Sequence, residues 1–554
     1  ALTIRVSLEM PVEDLKEQEF RDQALSELPA MSITDILRIS TRDHPNQVSI
    51  RYRGYDLTYS QLDELSTRFA ISLIRVWANK GDIVALLLTN IPQFPISFFA
   101  ILKIGGVVVP LNVLFKVREL RKLLVDSEAE FVISCSDIIQ GVDYFKSLSE
   151  CRGQLSLKEI ITTSVIDYLP TLGRLLAPIV GLRKRRPSRT LDLRDLIHSS
   201  DGTKVPQIVV SPSHDTAILQ YSSGTTGLPK AAMLSHENIV SQTEIVSKWI
   251  MTRESQEVGL IVLPLFHVFG LASMLVVLRS AGRVVLLPRF DRKVVLRTIE
   301  KERATLFPGV PAMFSSLLSY EHLGEYDLSS LRACFAGATS LPPGIARDFA
   351  ESTGSPLVEL YGLSEVSGAA VFNPLDGTAR VGSVGLPLPT IQIEILDLED
   401  SRALPPGEVG EIAIKGPTVM TGYWHDRTRA VDEDGWLRTG DLGKTDHDGY
   451  LYFLDRKKDL INVSGYKVFP KEVEDVIAEH QSVKDVAVVA SKDEAMNEVV
   501  TAFISLKNGA KVSAPDLVEF CRERIIHYKV PKRIEIRKEL PKSIIGKVIK
   551  SSLK

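Results

Sequence analysis

Short apolar runs alternate along the first two thirds of the chain with stretches whose apolar positions recur at helical spacing. IVALLL (83–88), GVVVPL (106–111), AEFVIS (129–134) and RVVLLP (283–288) are too short for buried helices and read as strands buried on both faces. Tyr59–Trp77 and Glu237–Trp249 carry the apolar period of amphipathic helices. Strands alternating with helices predict parallel sheets covered on both faces. After Thr390 the texture changes. IQIEILD, GEVGEIAIKG and GYLYFLD alternate between Gly and Asp turns, which predicts antiparallel, barrel-like structure. Beyond the charged run Asp455-Arg456-Lys457-Lys458-Asp459, PKEVEDVIAEH predicts a helix from near Pro470 and VKDVAVVAS a strand. The expected fold class is α/β. A large N-terminal domain over 1–455, with parallel-sheet α/β subdomains and a β-barrel-like subdomain, leads through a hinge at 456–459 to a small α+β C-terminal domain over 460–554.

Composition narrows the classes. With 554 residues, 44% hydrophobic and 24% charged, the chain is neither disordered nor collagen-like. Lys and Arg total 66 against 69 Asp and Glu, a net charge of −3, so no global polycation points to nucleic acid. The near-balance conceals a basic stretch from Arg522 to Lys554, with 11 Lys/Arg against 3 Asp/Glu. It reads either as a solvated face or as a field that attracts a polyphosphate. Cys135, Cys151, Cys334 and Cys521 form no C-x-x-C pair, which disfavours a disulfide framework or structural zinc.

The opening residues lack a basic segment followed by an apolar one, so they do not read as a signal peptide. The stretch Ile83–Phe115 is broken by Asn90, Pro92, Pro95, Lys103 and Gly105-Gly106 and reads as buried pieces rather than a membrane span. The final Ser-Leu-Lys is not a peroxisomal address, and the cytoplasm is the expected location. Over 168–190, Leu169, Leu172, Leu175, Leu176 and Ile179 are spaced to share a helical face ahead of Arg183, Lys184, Arg185 and Arg186. That segment reads as a peripheral membrane contact or as a surface loop with a partly buried helix.

The strongest chemical signal is TAILQYSSGTTGLPKAAMLSHENI (216–239). An apolar strand feeds Ser222, Ser223, Gly224, Thr225, Thr226 and Gly227, then Lys230, with a helix opening around Ser235. Glycines let backbone approach an anion, hydroxyls donate hydrogen bonds and lysine adds charge, which together make a phosphate-binding loop. It matches neither the Walker A pattern nor a dinucleotide G-x-G-x-x-G.

With this loop, PLFHVFG (264–270), FAGATSLPP (335–343), YGLSE (361–365), LRTGD (437–441), DRKKDLINVSGYKVFP (455–470) and PKSIIGK (541–547) follow in order. The chain thereby resembles the adenylate-forming enzymes: acyl-CoA synthetases, firefly-type luciferases and peptide-synthetase adenylation domains. The resemblance implies ATP plus carboxylate giving acyl-adenylate and pyrophosphate, then displacement of AMP by the thiol of coenzyme A. It implies Mg²⁺ associated with Glu365, Ser364 near the α-phosphate, and Tyr361 with Gly362 against adenine opposite Gly337 and Ala338. Asp441 and Arg456 are the implied ribose contacts, and Lys547 the catalytic lysine of the first half-reaction. Lys458 matches the hinge about which a mobile small domain exchanges Lys547 for the loop around Gly465 and Tyr466, beside the CoA path.

His267 matches the family's aromatic beside the acyl carboxylate, with Phe269, Gly270 and Leu271 in the acyl pocket. No Asp for a substrate ammonium occurs between Pro264 and Leu275, which favours an uncharged acyl chain. The last two motifs look most like bacterial-type long-chain fatty acyl-CoA synthetases. The segment 168–190 resembles an insertion of that branch. Aryl acids such as coumarate suit a similar pocket, and a catalytically silent adenylate-binding or lipid-sensing relative is the reading from another class. No carrier domain follows Lys554, which favours stand-alone CoA ligation over carrier loading. The expected partners are therefore the acid, ATP and CoA, without nucleic acid; oligomeric state is not legible.

Overall fold

The computed structural model describes residues 31–76, 78–139, 142–143, 145–155, 157–177, 187–200, 208–222, 229–426, 430–463, 466–493, 497–542 and 548–553. The chain is a large mixed α/β N-terminal domain with several sheets followed by a small α+β C-terminal domain.

Among the described residues, the short apolar runs form the centres of two large sheets. One has eight strands, with Ile83–Leu87 between Val107–Pro110 and Phe131–Cys135, all parallel and fully buried. Thr216–Tyr221 joins Val107–Pro110 in parallel, and Ala231–Ser235 then returns antiparallel beside it. The other has nine strands, in which Val258–Ile261, Leu306–Gly309, Ala333–Ala336 and Leu357–Leu363 run parallel. Valines and isoleucines suit such strands because both faces are covered by helices. A four-stranded antiparallel sheet follows where the alternating pattern starts: Gln392–Leu396, Gly410–Lys415, Leu437–Thr445 and Leu451–Arg456.

Helix Tyr59–Arg75 begins at Thr58, whose side chain accepts from the Gln61 amide, a capping box that satisfies free amides of the first turn. Helix His236–Trp249 begins in the same way, with the Ser235 hydroxyl accepting from the Asn238 amide. The Asn238 carboxamide then donates to the carbonyls of Pro417 and Val419, tying this helix to the loop ahead of Tyr423.

The two large sheets are locked by Asn90, a polar break in the greasiest stretch of the sequence. Its side chain is buried, donates to the carbonyls of Leu263 (2.9 Å) and Leu287 (3.1 Å), and accepts from the Leu265 amide (2.9 Å). A buried amide so fully paired fixes one register between the layers. Here it places the PLFHVFG segment at the rim of the nine-stranded sheet.

The C-terminal domain has its own core, including Ile461, Val468, Val473, Ile477, Val488 and Leu517. Helix Pro470–Ala478 and strand Val483–Asp493 form where the sequence predicts them. All four cysteines are unpaired and buried.

The expected amphipathic helix at 168–190 is short among the described residues, Thr171–Leu176. Leu169 precedes it and is buried in the main core, while Leu175 and Leu176 are 70% and 44% exposed, so these leucines do not share one buried face. Ile179 and Arg183–Arg186 lie outside the described residues. No helix among the described residues is long and apolar enough to cross a membrane.

Candidate active site

The candidate loop hangs from an antiparallel pair, Tyr221 opposite Ala231. Its base is closed by the Ser222 amide donating to the Lys230 carbonyl at 3.0 Å. Ser223, Gly224, Thr225, Thr226 and Gly227 lie outside the described residues. Lys230 is held by Asp426 and lies over the Tyr423 ring, 4.9 Å from its centroid. The Tyr423 hydroxyl donates to Glu365 Oε1 at 2.8 Å, and burial beside that carboxylate raises the phenol well above its usual range. Tyr423 therefore joins Lys230 to Glu365. Neither Tyr423 nor Asp426 belongs to a motif singled out in the sequence, since only their pairing across the sheet edge brings them here.

Glu365 sits on a tight turn, Ser364–Val366, after strand Leu357–Leu363. The turn is fixed by the Met420 amide donating to the Glu365 carbonyl at 2.8 Å and by the Ser367 hydroxyl donating to the Thr418 carbonyl at 2.9 Å. Ser364 is buried. A Cβ at Gly362 would stand 1.7 Å from the Gly368 carbonyl oxygen, so only glycine permits the close return of the next strand. Among the described residues no cluster of three metal-ligating side chains exists. A single oriented carboxylate fits Mg²⁺ of the kind that takes most of its oxygens from substrate phosphates and water.

Tyr361, Asp441 and Arg456 form the next group. The Tyr361 hydroxyl donates to Asp441 Oδ2 at 2.8 Å, and Arg456 Nε lies 3.6 Å from Asp441 Oδ1. Asp441 and Arg456 are paired neighbours on adjacent strands, and Asp441 is buried. The Asp441 amide is turned by the Thr439 hydroxyl at 3.1 Å. This places a buried carboxylate, a guanidinium and an aromatic ring side by side, the set that suits a ribose and its base.

Gly337 and Ala338 follow strand Ala333–Ala336, with Ala338 in the left-handed region at φ +70°. A Cβ at Gly337 would lie 2.9 Å from Leu360 Cδ1 and 3.1 Å from Phe269 Cε1. Gly337 thus shares a wall with a narrow apolar cleft lined by Phe269, Val246, Ile250, Ile261, Leu306 and Phe335 among others. The loop beyond Ala338 is held by Glu359, whose Oε1 accepts from the Leu341 amide at 2.9 Å. Burial pushes the Glu359 carboxyl up to about 8.

His267 caps helix Val268–Arg279, with Nδ1 accepting from the Phe269 amide at 3.3 Å. Burial lowers its pKa to about 4, so the imidazole is neutral near pH 7 and Nε2 carries the proton. Gly270 lies where a Cβ would meet the Pro264 carbonyl oxygen at 2.3 Å. It permits the tight turn and does not line the cleft. Leu271 is buried in the main core, and the cleft wall takes Ala272, Ser273, Val276 and Val277 from this helix instead.

Lys458 lies in the turn Lys457–Asp459 between the domains. Tyr466 is exposed and stacks on Tyr528 with centroids 4.6 Å apart. Gly465 and Lys547 lie outside the described residues.

The AMP-binding enzyme family matches residues 37–424, and the AMP-binding enzyme C-terminal domain matches 472–547. A long-chain-fatty-acid–CoA ligase of Bacillus subtilis is 38% identical, over 95% of this chain and 94% of its own. Among solved structures, the anthranilate CoA ligase AuaEII in complex with anthranoyl-AMP aligns with a TM-score of 0.84 at 26% identity, covering 96% of this chain and 98% of its own. ATP-bound MatB from Rhodopseudomonas palustris aligns with a TM-score of 0.83 at 27% identity, covering 94% of this chain and 98% of its own.

Proposed function

Because the chain belongs to the AMP-binding enzyme family, we propose that it is an AMP-forming acid–CoA ligase acting on medium- to long-chain fatty acids. The observation that carries this reading is strand Leu357–Leu363, on which Leu360 lines the apolar cleft and the next residue, Tyr361, belongs to the Tyr361–Asp441–Arg456 group. Nucleotide and acyl group then meet at one place. Among the described residues no charged side chain lines the cleft, which suits an uncharged chain.

In the first half-reaction a carboxylate oxygen attacks the α-phosphorus of ATP, the bond to the bridging oxygen breaks, and pyrophosphate leaves. Two anions must approach, so cationic and dipolar groups fixed in advance decide the rate. Lys230 neutralises charge on the departing phosphates once it leaves Asp426. Asp441 accepts from the ribose hydroxyls, with Arg456 alongside, and Tyr361 covers the adenine. His267, neutral and protonated at Nε2, is a hydrogen-bond donor to the acyl carboxylate without trapping it as an ion pair. Glu365, oriented by Tyr423, would hold Mg²⁺ together with phosphate oxygens; when bound, the ion supplies charge neutralisation. In the second half-reaction the CoA sulfur attacks the acyl carbonyl, AMP leaves, and the thiol proton passes to solvent. We take residues 456–459 as the hinge that separates the two steps.

A panel of acetate, octanoate, palmitate, benzoate and coumarate, assayed for AMP release with and without CoA, tests the reading. Octanoate or palmitate is expected to give AMP and the matching acyl-CoA in equal amounts. Preference for benzoate or coumarate would replace the fatty-acid reading with an aryl one. Silence toward all five would favour a non-catalytic binding protein.

A further inference from the structure

The apolar cleft has a direction. Its upper end lies beside Gly337, whose amide donates to the Gly309 carbonyl at the end of strand Leu306–Gly309. Leu306, three residues earlier and about 10 Å lower along the strand, lines the far end. Helix His236–Trp249 and its cap run down the same wall with Gln242, Val246 and Ile250, about 6 Å apart at each step. Gln242 is the uppermost of these. A Cβ built on Gly368, which pairs with Leu363 next to the Glu365 turn, would lie 3.5 Å from the Gln242 carboxamide.

Gln242 is chemically out of place there. It is 1% exposed, and its Oε1 is buried with no hydrogen-bond partner among the described residues. Ser273 also lines the cleft, but its hydroxyl donates to the Phe269 carbonyl at 2.8 Å. The other wall residues among those described are apolar or glycine. A buried polar group without a partner costs stability, and opposite an unsubstituted methylene the carboxamide stays unpaired. A hydroxyl both donates and accepts, so it pairs with either end of a carboxamide. Sites with a buried polar group waiting for substrate reject analogues that lack the matching group.

We propose that Gln242 is a specificity-determining residue, and that the preferred acids carry a hydroxyl near the carboxylate end of the chain. This rests on the acid–CoA ligase reading and narrows its substrate class from plain to hydroxylated fatty acids.

The test uses the full chain and measures kcat/KM for AMP release with CoA. The substrates are decanoate and its monohydroxylated isomers, substituted near the carboxylate, at mid-chain or at the terminal carbon. The isomer hydroxylated near the carboxylate is expected to exceed decanoate by about tenfold, the scale of one hydrogen bond regained in a dry site. Gln242→Met, which keeps the length of the side chain and removes its polar end, is expected to erase that preference. Decanoate equal to or better than that isomer in the wild type would overturn the proposal, as would a preference that survives Gln242→Met. The wild-type comparison decides the matter even if the variant does not fold. No AMP from any of these acids would instead overturn the ligase reading itself.

Discussion

Lys547→Ala is expected to slow acyl-adenylate formation by about 10²–10³-fold, the usual effect of removing one preorganised donor from a charged transition state. Thioester formation from supplied acyl-adenylate and CoA is expected to be largely spared. The asymmetry follows from the chemistry of the two steps. In the first, a carboxylate and an α-phosphate crowd together, and an ammonium between them lowers the energy of their approach. In the second, a neutral carbonyl is attacked and AMP leaves, so that cation has less to stabilise. The flanks of the segment are anchored to the small domain. Lys542 bridges to Val548, the Ile549 amide donates to the Pro541 carbonyl at 2.8 Å, and Lys542 pairs with Asp485 at 2.6 Å. In the proposed two-step cycle the small domain carries this lysine to and from the reacting atoms. Single-turnover measurements of each half-reaction check this, and equal losses in both would refute the assignment.

Lys458→Pro is expected to do the reverse, sparing adenylate formation and strongly reducing thioester formation. Proline fixes φ and removes an amide donor, so the hinge keeps one of its two settings. The contacts around Lys458 show what a turn of the domain must rearrange. Asp455 on the large domain's last strand accepts from the Lys471 amide at 2.7 Å, in the first turn of helix Pro470–Ala478. Lys457 donates to Glu411 at 2.9 Å, on the antiparallel sheet. The Asp455–Lys471 contact straddles Lys458, so rotation about that residue changes the distance between its partners, whereas Lys457 and Glu411 hold the near side of the turn to the large domain. Rapid-quench kinetics of the two steps is the check; unchanged full turnover in the variant would contradict a two-pose mechanism.

The large features were legible because they depend on local pattern. Buried parallel strands are continuous apolar runs, helix starts are capping residues, and the order of motifs places nucleotide contacts on strand ends. Tyr361, Asp441 and Arg456 were named from sequence and stand together in the fold. What was not legible depends on pairing between distant segments. Tyr423 and Asp426 reach Glu365 and Lys230 across 58 and 196 residues, and nothing in GYWHD announces it. Ala231–Ser235 lacks the alternation of a strand and becomes one only by returning along Thr216–Tyr221. Asn90 looked like an interruption and proved to be the bolt between two sheets. Leu271 is an acyl-pocket candidate by its motif; in the fold it packs in the core, and helical rotation turns Ala272 and Ser273 to the cleft wall. Gln242 reads as one more polar position in an amphipathic helix until the cleft beside it is seen.

In the proposed reaction this site joins a carboxylate to the α-phosphate of ATP before any thiol arrives. Acid-dependent exchange of labelled pyrophosphate into ATP, measured without CoA, tests it most directly. The predicted result is exchange that requires both a fatty acid and Mg²⁺ and falls by about 10²–10³-fold in Lys547→Ala. ATP consumption yielding ADP and phosphate, with no pyrophosphate exchange, would overturn adenylate formation at this site.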